Sequence, residues 1–248
     1  METVEIATAS RGLTMLNLTH LNFATIILDT SAVIIAFGII HETRFMRRSG
    51  RKADILFLRL LLLTMIMAVT DIFGYITENR ADPVLRTVQT FSMSLFYLSF
   101  VILSMSWFDY CKCKFKNEQK ESKTRVQKVH IPGIVAMIAI ILNCFTGIIF
   151  KVDSQGEYHR SFMFIPMYIV LIGYIAAGFV MVGKYRTIEK TKLIPLWLYA
   201  MPIVLSIVIT FGIKEVSMAA LGTAISIAFT HLGTMNEVAE ISIRETEQ

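Results

Sequence analysis

The chain has 248 residues, 54% of them apolar and 17% charged, with a net charge of +5 and a mean hydropathy of +0.59. A soluble domain carries about 25% charged residues, so an enzyme that must wet its whole surface is excluded, and five prolines with 13 glycines exclude a collagen-like or disordered chain. Three cysteines are too few for a disulfide-stapled scaffold, and the positive residues lie between apolar blocks, the pattern of a multi-span membrane protein rather than of a nucleic-acid binder.

Residues 1–20, METVEIATASRGLTMLNLTH, form a tail without the basic start or small-residue cleavage pattern of a signal peptide. A helix needs about 20 mostly apolar residues to cross the hydrocarbon core. Seven stretches qualify: Leu21–Ile40, Ile55–Thr77, Leu85–Asp109, Ile131–Phe150, Ser161–Gly183, Leu193–Gly212 and Glu215–Met235. Only FGIKE separates the last two. None alternates at period two, so a membrane barrel is excluded. Pro166, near the outer end of the fifth span, and Pro202, mid-span in the sixth, each remove a backbone hydrogen bond and predict a kink. The small-residue pairs Gly173/Ala177 and Ala220/Ala224 predict close helix packing within the bundle. The expected fold class is an all-α membrane protein, a seven-transmembrane-helix bundle. Residues 1–20 are the extracytoplasmic tail, 21–235 the sensor-like bundle and 236–248 a cytoplasmic helical stub.

Orientation follows from the loops. Lys and Arg number five in His41–Asp54, seven in Tyr110–His130, four in Lys184–Lys192 and one in the C-terminal tail, against six on the other side. Positive loops stay inside, which places the N-terminus outside, the C-terminus in the cytoplasm and the protein in the inner or plasma membrane. Trp107, Phe108 and Tyr110 at the inner end of the third span, with Tyr185 and Trp197 around the loop after the fifth, are expected in the headgroup layer.

No catalytic motif stands out: GxSxG, HExxH, GxxxxGK[ST] and GxGxxG are all absent. Cys111 and Cys113 form a CxC in what reads as a cytosolic loop, with no second pair to complete a metal site, and Cys144 is expected to pack as a small apolar residue. The expectation is a non-enzyme with no cofactor and no metal. Its partners are the lipid bilayer, a signal ligand and a cytoplasmic signalling partner or a second copy, with no nucleic acid. Arg59 and Asp109 lie near inner boundaries, where snorkelling or loop cations suffice. Asp29 and Asp71 fall about 9–12 Å below the outer boundary at 1.5 Å per residue, with Asn143 at similar depth and Gln89 and Ser92 also in the outer half. Asp71, Gly74, Tyr75 and Glu78 follow i, i+3, i+4, i+7 and form one inward stripe. Polar groups from four helices at one level read either as a hydrated, outward-facing ligand or ion site or as interhelical hydrogen bonds that hold the bundle together.

The stretch Asn143-Cys-Phe-Thr146-Gly147-Ile-Ile-Phe150-Lys-Val-Asp153-Ser-Gln-Gly156-Glu-Tyr158-His-Arg160 resembles a segment of the seven-span membrane sensor region of Firmicutes proteins that carry a cytoplasmic diguanylate cyclase (GGDEF) or histidine kinase domain. The likeness in layout covers nearly the whole chain, although Ser161 stands where the family usually has Gly. It implies a sensor fold in which the outer turn with Asp153, Tyr158 and Arg160 touches a signal or caps the cavity. From the residues alone, Asp153-Ser-Gln-Gly156 is a polar turn between antiparallel helices. The family's output domain is expected to be missing, since only LGTMNEVAEISIRETEQ follows His231. The functional expectation is therefore a receptor-type module that relays an outer or intramembrane signal through its last helix, with candidate ligand residues Asp29, Asp71, Gln89, Asn143, Tyr158 and Arg160. The alternative is a small seven-span transporter. A rhodopsin-like pigment is disfavoured, because the seventh span has no mid-span Lys and Lys214 lies at its outer edge.

Overall fold

The computed structural model describes residues 20–43, 52–115, 128–184, 201–210 and 217–246. Seven helices occur among them: α1 (His20–Thr43), α2 (Lys52–Thr77), α3 (Pro83–Phe115), α4 (Ile131–Thr146, entered through a 3-10 turn Lys128–His130), α5 (Phe164–Lys184), α6 (Met201–Thr210) and α7 (Ala219–Thr246). The first five are long and apolar enough to cross a membrane. Strands β1 (Phe150–Val152) and β2 (Tyr158–Arg160) interrupt the helical order with an antiparallel hairpin, paired Phe150 to Arg160 and Val152 to Tyr158.

The helices are inside out relative to those of a water-soluble protein. On α1, Asn22, Thr25, Asp29, Ala32, Ala36 and Ile39 are buried, alternating by three and four residues, while Phe23, Ile27, Ile34 and Phe37 are exposed. On α4, Gly133, Ala136, Ile140 and Asn143 face inward and Ile134, Val135, Ile138, Ile141 and Phe145 face out. Small and polar residues toward neighbouring helices with large aliphatics outward is what a hydrocarbon solvent selects, because lipid supplies no hydrogen bonds but accepts apolar surface freely.

α3 is the central element, packed against α2, α4 and α5, while α7 lies against α1 and α2. That centrality overturns the headgroup assignment of its aromatics. Trp107, Phe108 and Tyr110 are buried between helices, Trp107 beside Phe179 at 6.2 Å and Tyr110 beside Phe57 at 6.0 Å. Gly178 on α5 makes room for this packing: a Cβ there would lie 2.9 Å from Trp107 Nε1. α3 also runs on to Phe115, so Cys111 and Cys113 stand in its last turns rather than in a loop, with Cys111 fully buried. Asp109 meets His130 at 3.3 Å, and most of the loop cations lie outside the described residues. Arg59 is exposed on α2. Tyr185 and Trp197 lie outside the described residues.

The small-residue pairs divide. Ala220 and Ala224 are buried in the core, whereas Gly173 has nothing near it and is exposed. The close approach at α7 centres on Gly222, whose Cβ would meet the Pro202 carbonyl at 2.8 Å. Pro166 falls in the first turn of α5, where its missing N–H lacks a helical partner in any case, so no kink follows. Pro202 is in the first described turn of α6, and the residues before it are outside the described set. Cys144 is exposed on α4, its Sγ 3.3 Å from Ser94 Oγ.

The fourth apolar stretch ends at Thr146, not Phe150. Gly147 takes a left-handed conformation (φ 63°) and its N–H closes the helix on the Asn143 carbonyl at 2.9 Å. The Asn143 Oδ1 then accepts from Ile149 N–H (2.7 Å) and Phe150 N–H (3.2 Å), so the two buried amides that start β1 are satisfied by one side chain. Removing that acceptor leaves buried N–H groups unpaired, at about 1–3 kcal/mol each. Asn143→Ala is expected to lower stability by about 2 kcal/mol or more, read as the thermal midpoint of the full chain in lipid nanodiscs; a wild-type midpoint would show that the cap carries no load.

Candidate functional site

A cavity of about 430 Å³ opens between the hairpin-side halves of α2, α3 and α5, under the hairpin and beside Thr210 of α6 and the start of α7. Its position follows from local chain features. The stripe Asp71, Tyr75 and Glu78 on α2 lines it, and Gly74 on the same face is packed hard against Met93 of α3. Tyr97 and Phe96 of α3 and Tyr168 of α5 form aromatic wall. Ser217, just ahead of α7, and Thr210, the last residue of α6, complete it.

The hairpin is the roof. Asp153 Oδ1 accepts from Gln155 N–H and Glu157 N–H, both at 2.9 Å, which closes the turn and holds the Asp153 carboxyl below its ordinary value. Gly156 has φ 85°, and a Cβ there would lie 2.5 Å from the Arg80 backbone. Its carbonyl accepts from Asn79 N–H at 3.0 Å, so the α2–α3 connection docks onto the turn. The roof thereby hangs Glu157, Tyr158 and Arg160 over the cavity. The Tyr158 and Tyr97 hydroxyls are hydrogen-bonded at 2.7 Å. Arg160 stacks its guanidinium on Phe164, 4.8 Å from the ring centre, and donates to the Thr210 carbonyl at 3.3 Å. Asn22 of α1 donates to Glu78 at 3.0 Å.

Of the six residues expected to bind a ligand, the structure brings Asp71, Tyr158 and Arg160 together around the cavity. Asp29 is fully buried on α1 directly behind Asp71, and the two carboxyls are close enough to hydrogen-bond. Ser217 reaches Asp71 as well. Gln89 is fully buried but does not line the cavity, and neither of its amide atoms has a hydrogen-bond partner among the described residues. Asn143 is the cap of α4 and also lies outside the lining. Tyr97, Tyr168, Thr210, Ser217, Asn22 and Glu157 were not singled out from the sequence. Asn22 could have been, since it precedes Asp29 by seven residues on one helix face; Thr210 and Ser217 reach the site only through tertiary packing.

One group among the described residues has metal-ligand chemistry: the ligand atoms of Asp153, Glu157 and His159 lie within 4.8 Å of one another at the outer tip of the hairpin. His159 Nε2 sits 3.2 Å from Asp153 Oδ2 and 3.8 Å from Glu157 Oε2. These contacts read as the turn's own surface hydrogen bonding. No family model matches the chain, and neither the curated proteins nor the solved structures contain a match.

Glu78 gives the site a pH signature. Burial pushes its carboxyl up from the ordinary value, the Asn22 hydrogen bond opposes that, and nearby Glu157 adds to it. A carboxyl raised in the folded state contributes stability that is fully present below its unfolded value and lost as pH rises through the folded one. Glu78→Gln keeps an acceptor for Asn22 and removes the titration. The midpoint difference between variant and wild type is therefore expected to grow in the variant's favour as pH climbs from the ordinary glutamate range toward neutrality. Asp153, shifted the other way, titrates below that window. Parallel midpoint curves for the two proteins would show that Glu78 is not desolvated.

Proposed function

We propose that the chain is a seven-span membrane receptor module, N-terminus outside and C-terminus in the cytoplasm, that binds a small molecule in the outer cavity and relays occupancy through α7. The observation that carries this reading is the placement of α7. Ser217 at its outer end reaches Asp71 in the cavity. Fourteen residues on, about 21 Å along the axis, His231 is buried midway along the same helix. There its Nε2 lies 3.1 Å from Glu42 Oε2 of α1, and its ring stacks on Phe57 of α2 at 5.9 Å. α7 then continues without interruption to Thr246. One continuous helix touching a ligand cavity at one end and a polar latch midway along its length can transmit a shift between two arrangements.

The resemblance to Firmicutes sensor regions supports the same assignment, as does the excess of cationic residues in the loops proposed to be cytoplasmic. A ligand drives such a relay only through different affinity for the two arrangements, so changing the cavity must change the resting balance. Compartment-specific tags on the two chain ends are expected to report opposite sides. With a reporter domain tethered to the C-terminus, Asp71→Asn and Ser217→Ala are each expected to shift basal output several-fold at unchanged protein level. Unaltered output in both, with the bundle folded, rejects the relay. Liposome flux that is abolished by Asp71→Asn moves the assignment to a transporter.

A further inference from the structure

We infer that the cavity takes a compact organic monocation, an alkylammonium or quaternary ammonium group, seated with its charge on the Asp71 carboxylate. This rests on the cavity being the ligand site and adds the class of ligand. The first observation is the floor. Asp71 is 2% exposed and lines the cavity, and its Oδ2 has no hydrogen-bond partner among the described residues. Asp29 behind it is 0% exposed, and no described donor reaches either of its oxygens. Two carboxyls can bond to each other only when one carries a proton, because ionised carboxylates are acceptors alone. A pair holding one proton bears one negative charge, and Ser217 satisfies part of it. The remaining buried acceptor, on a residue of the cavity wall, asks for a single positive charge.

The second observation is the wall. Tyr75, Phe96, Tyr97, Tyr158 and Tyr168 all line the space. Aromatic rings attract ammonium groups through their quadrupole, at about 0.5–2 kcal/mol each and most strongly when desolvated. The third is the rim. Glu78 and Glu157 add carboxylates, so among the described lining residues acids outnumber cations, of which Arg160 is one, by three to one. Arg160 already lies over Phe164 and on the Thr210 carbonyl, which turns its charge toward that wall. The volume of about 430 Å³ matches small-molecule sites, whose lower range is about 300 Å³; a bare metal ion would leave most of it empty.

The test uses the full chain in lipid nanodiscs with four probes: n-butylammonium, choline, butyrate and n-butanol. Butylammonium or choline far above its dissociation constant is expected to raise the thermal midpoint by about 5 °C. Asp71→Asn is expected to lose that rise, whereas Asp29→Asn, which leaves the Asp71 carboxylate charged and offers it an amide donor, is expected to keep it; n-butanol controls for partition into lipid. Asp71→Asn is itself expected to unfold no earlier than wild type, since it removes an uncompensated buried charge; a purely structural pair would make it unfold earlier and leave any amine effect in place. Stabilisation by butyrate instead, lost in Arg160→Gln, overturns the cation assignment and leaves the ligand cavity standing. Stabilisation by none of the probes overturns both.

Discussion

The hairpin side of the molecule depends on one carboxamide. Asn143 ends α4 and, through Oδ1, holds the first two amides of the segment that follows. Without that acceptor the chain would have to leave the helix with buried N–H groups unpaired, and low-dielectric surroundings make such groups costly. With it, the backbone turns at Gly147 and delivers Phe150 into a cluster with Tyr97 at 5.6 Å and Tyr158 at 5.5 Å. Ser161 N–H then closes on the Ile149 carbonyl at 2.8 Å. The hairpin is thereby fixed at both feet, and only a fixed hairpin can hold Tyr158 and Arg160 over the cavity.

The motif Asn143 to Arg160 therefore has a physical reading at most positions. Asn143 caps, Gly147 and Gly156 supply positive φ, Asp153 closes the turn, and Phe150 anchors the hairpin to α3. Only its last part, Glu157 to Arg160, faces the ligand space. The pattern thus records first how the roof is built. The chemical character of the cavity itself comes from Asp71, Tyr75, Glu78 and their neighbours on α2 and α3.

Helix placement was legible because apolar length is a crude and strong signal, and the Asp71–Glu78 stripe was legible because helical spacing alone puts it on one face. Three features were not. Aromatics at the end of a span look alike whether they face headgroups or a neighbour, and the centrality of α3 decides for Trp107 and Tyr110. A run of apolar residues hides its own end, so Thr146-Gly147 was read through to Phe150 although Gly after an Asn-bearing turn is a C-cap signal. The contributions of Thr210 and Ser217 need the three-dimensional return of α6 and α7 to the cavity, which no local pattern encodes.

The buried polar residues of the outer layer separate by how well they are supported. Asn143 has donors on its oxygen, Glu78 has Asn22, and Tyr158 has Tyr97. Asp29 and Asp71 have each other and Ser217, and oxygens remain without donors. An uncompensated buried charge costs on the order of several kcal/mol, comparable with the whole stability of a typical fold. The scaffold around the pair is rigid where it could have been relieved: Gly74 sits against Met93, and α3 is packed on several sides. A pair left underfilled in this way would be stabilised by whatever supplies the missing charge, and of the two aspartates it is Asp71 that stands in the cavity wall.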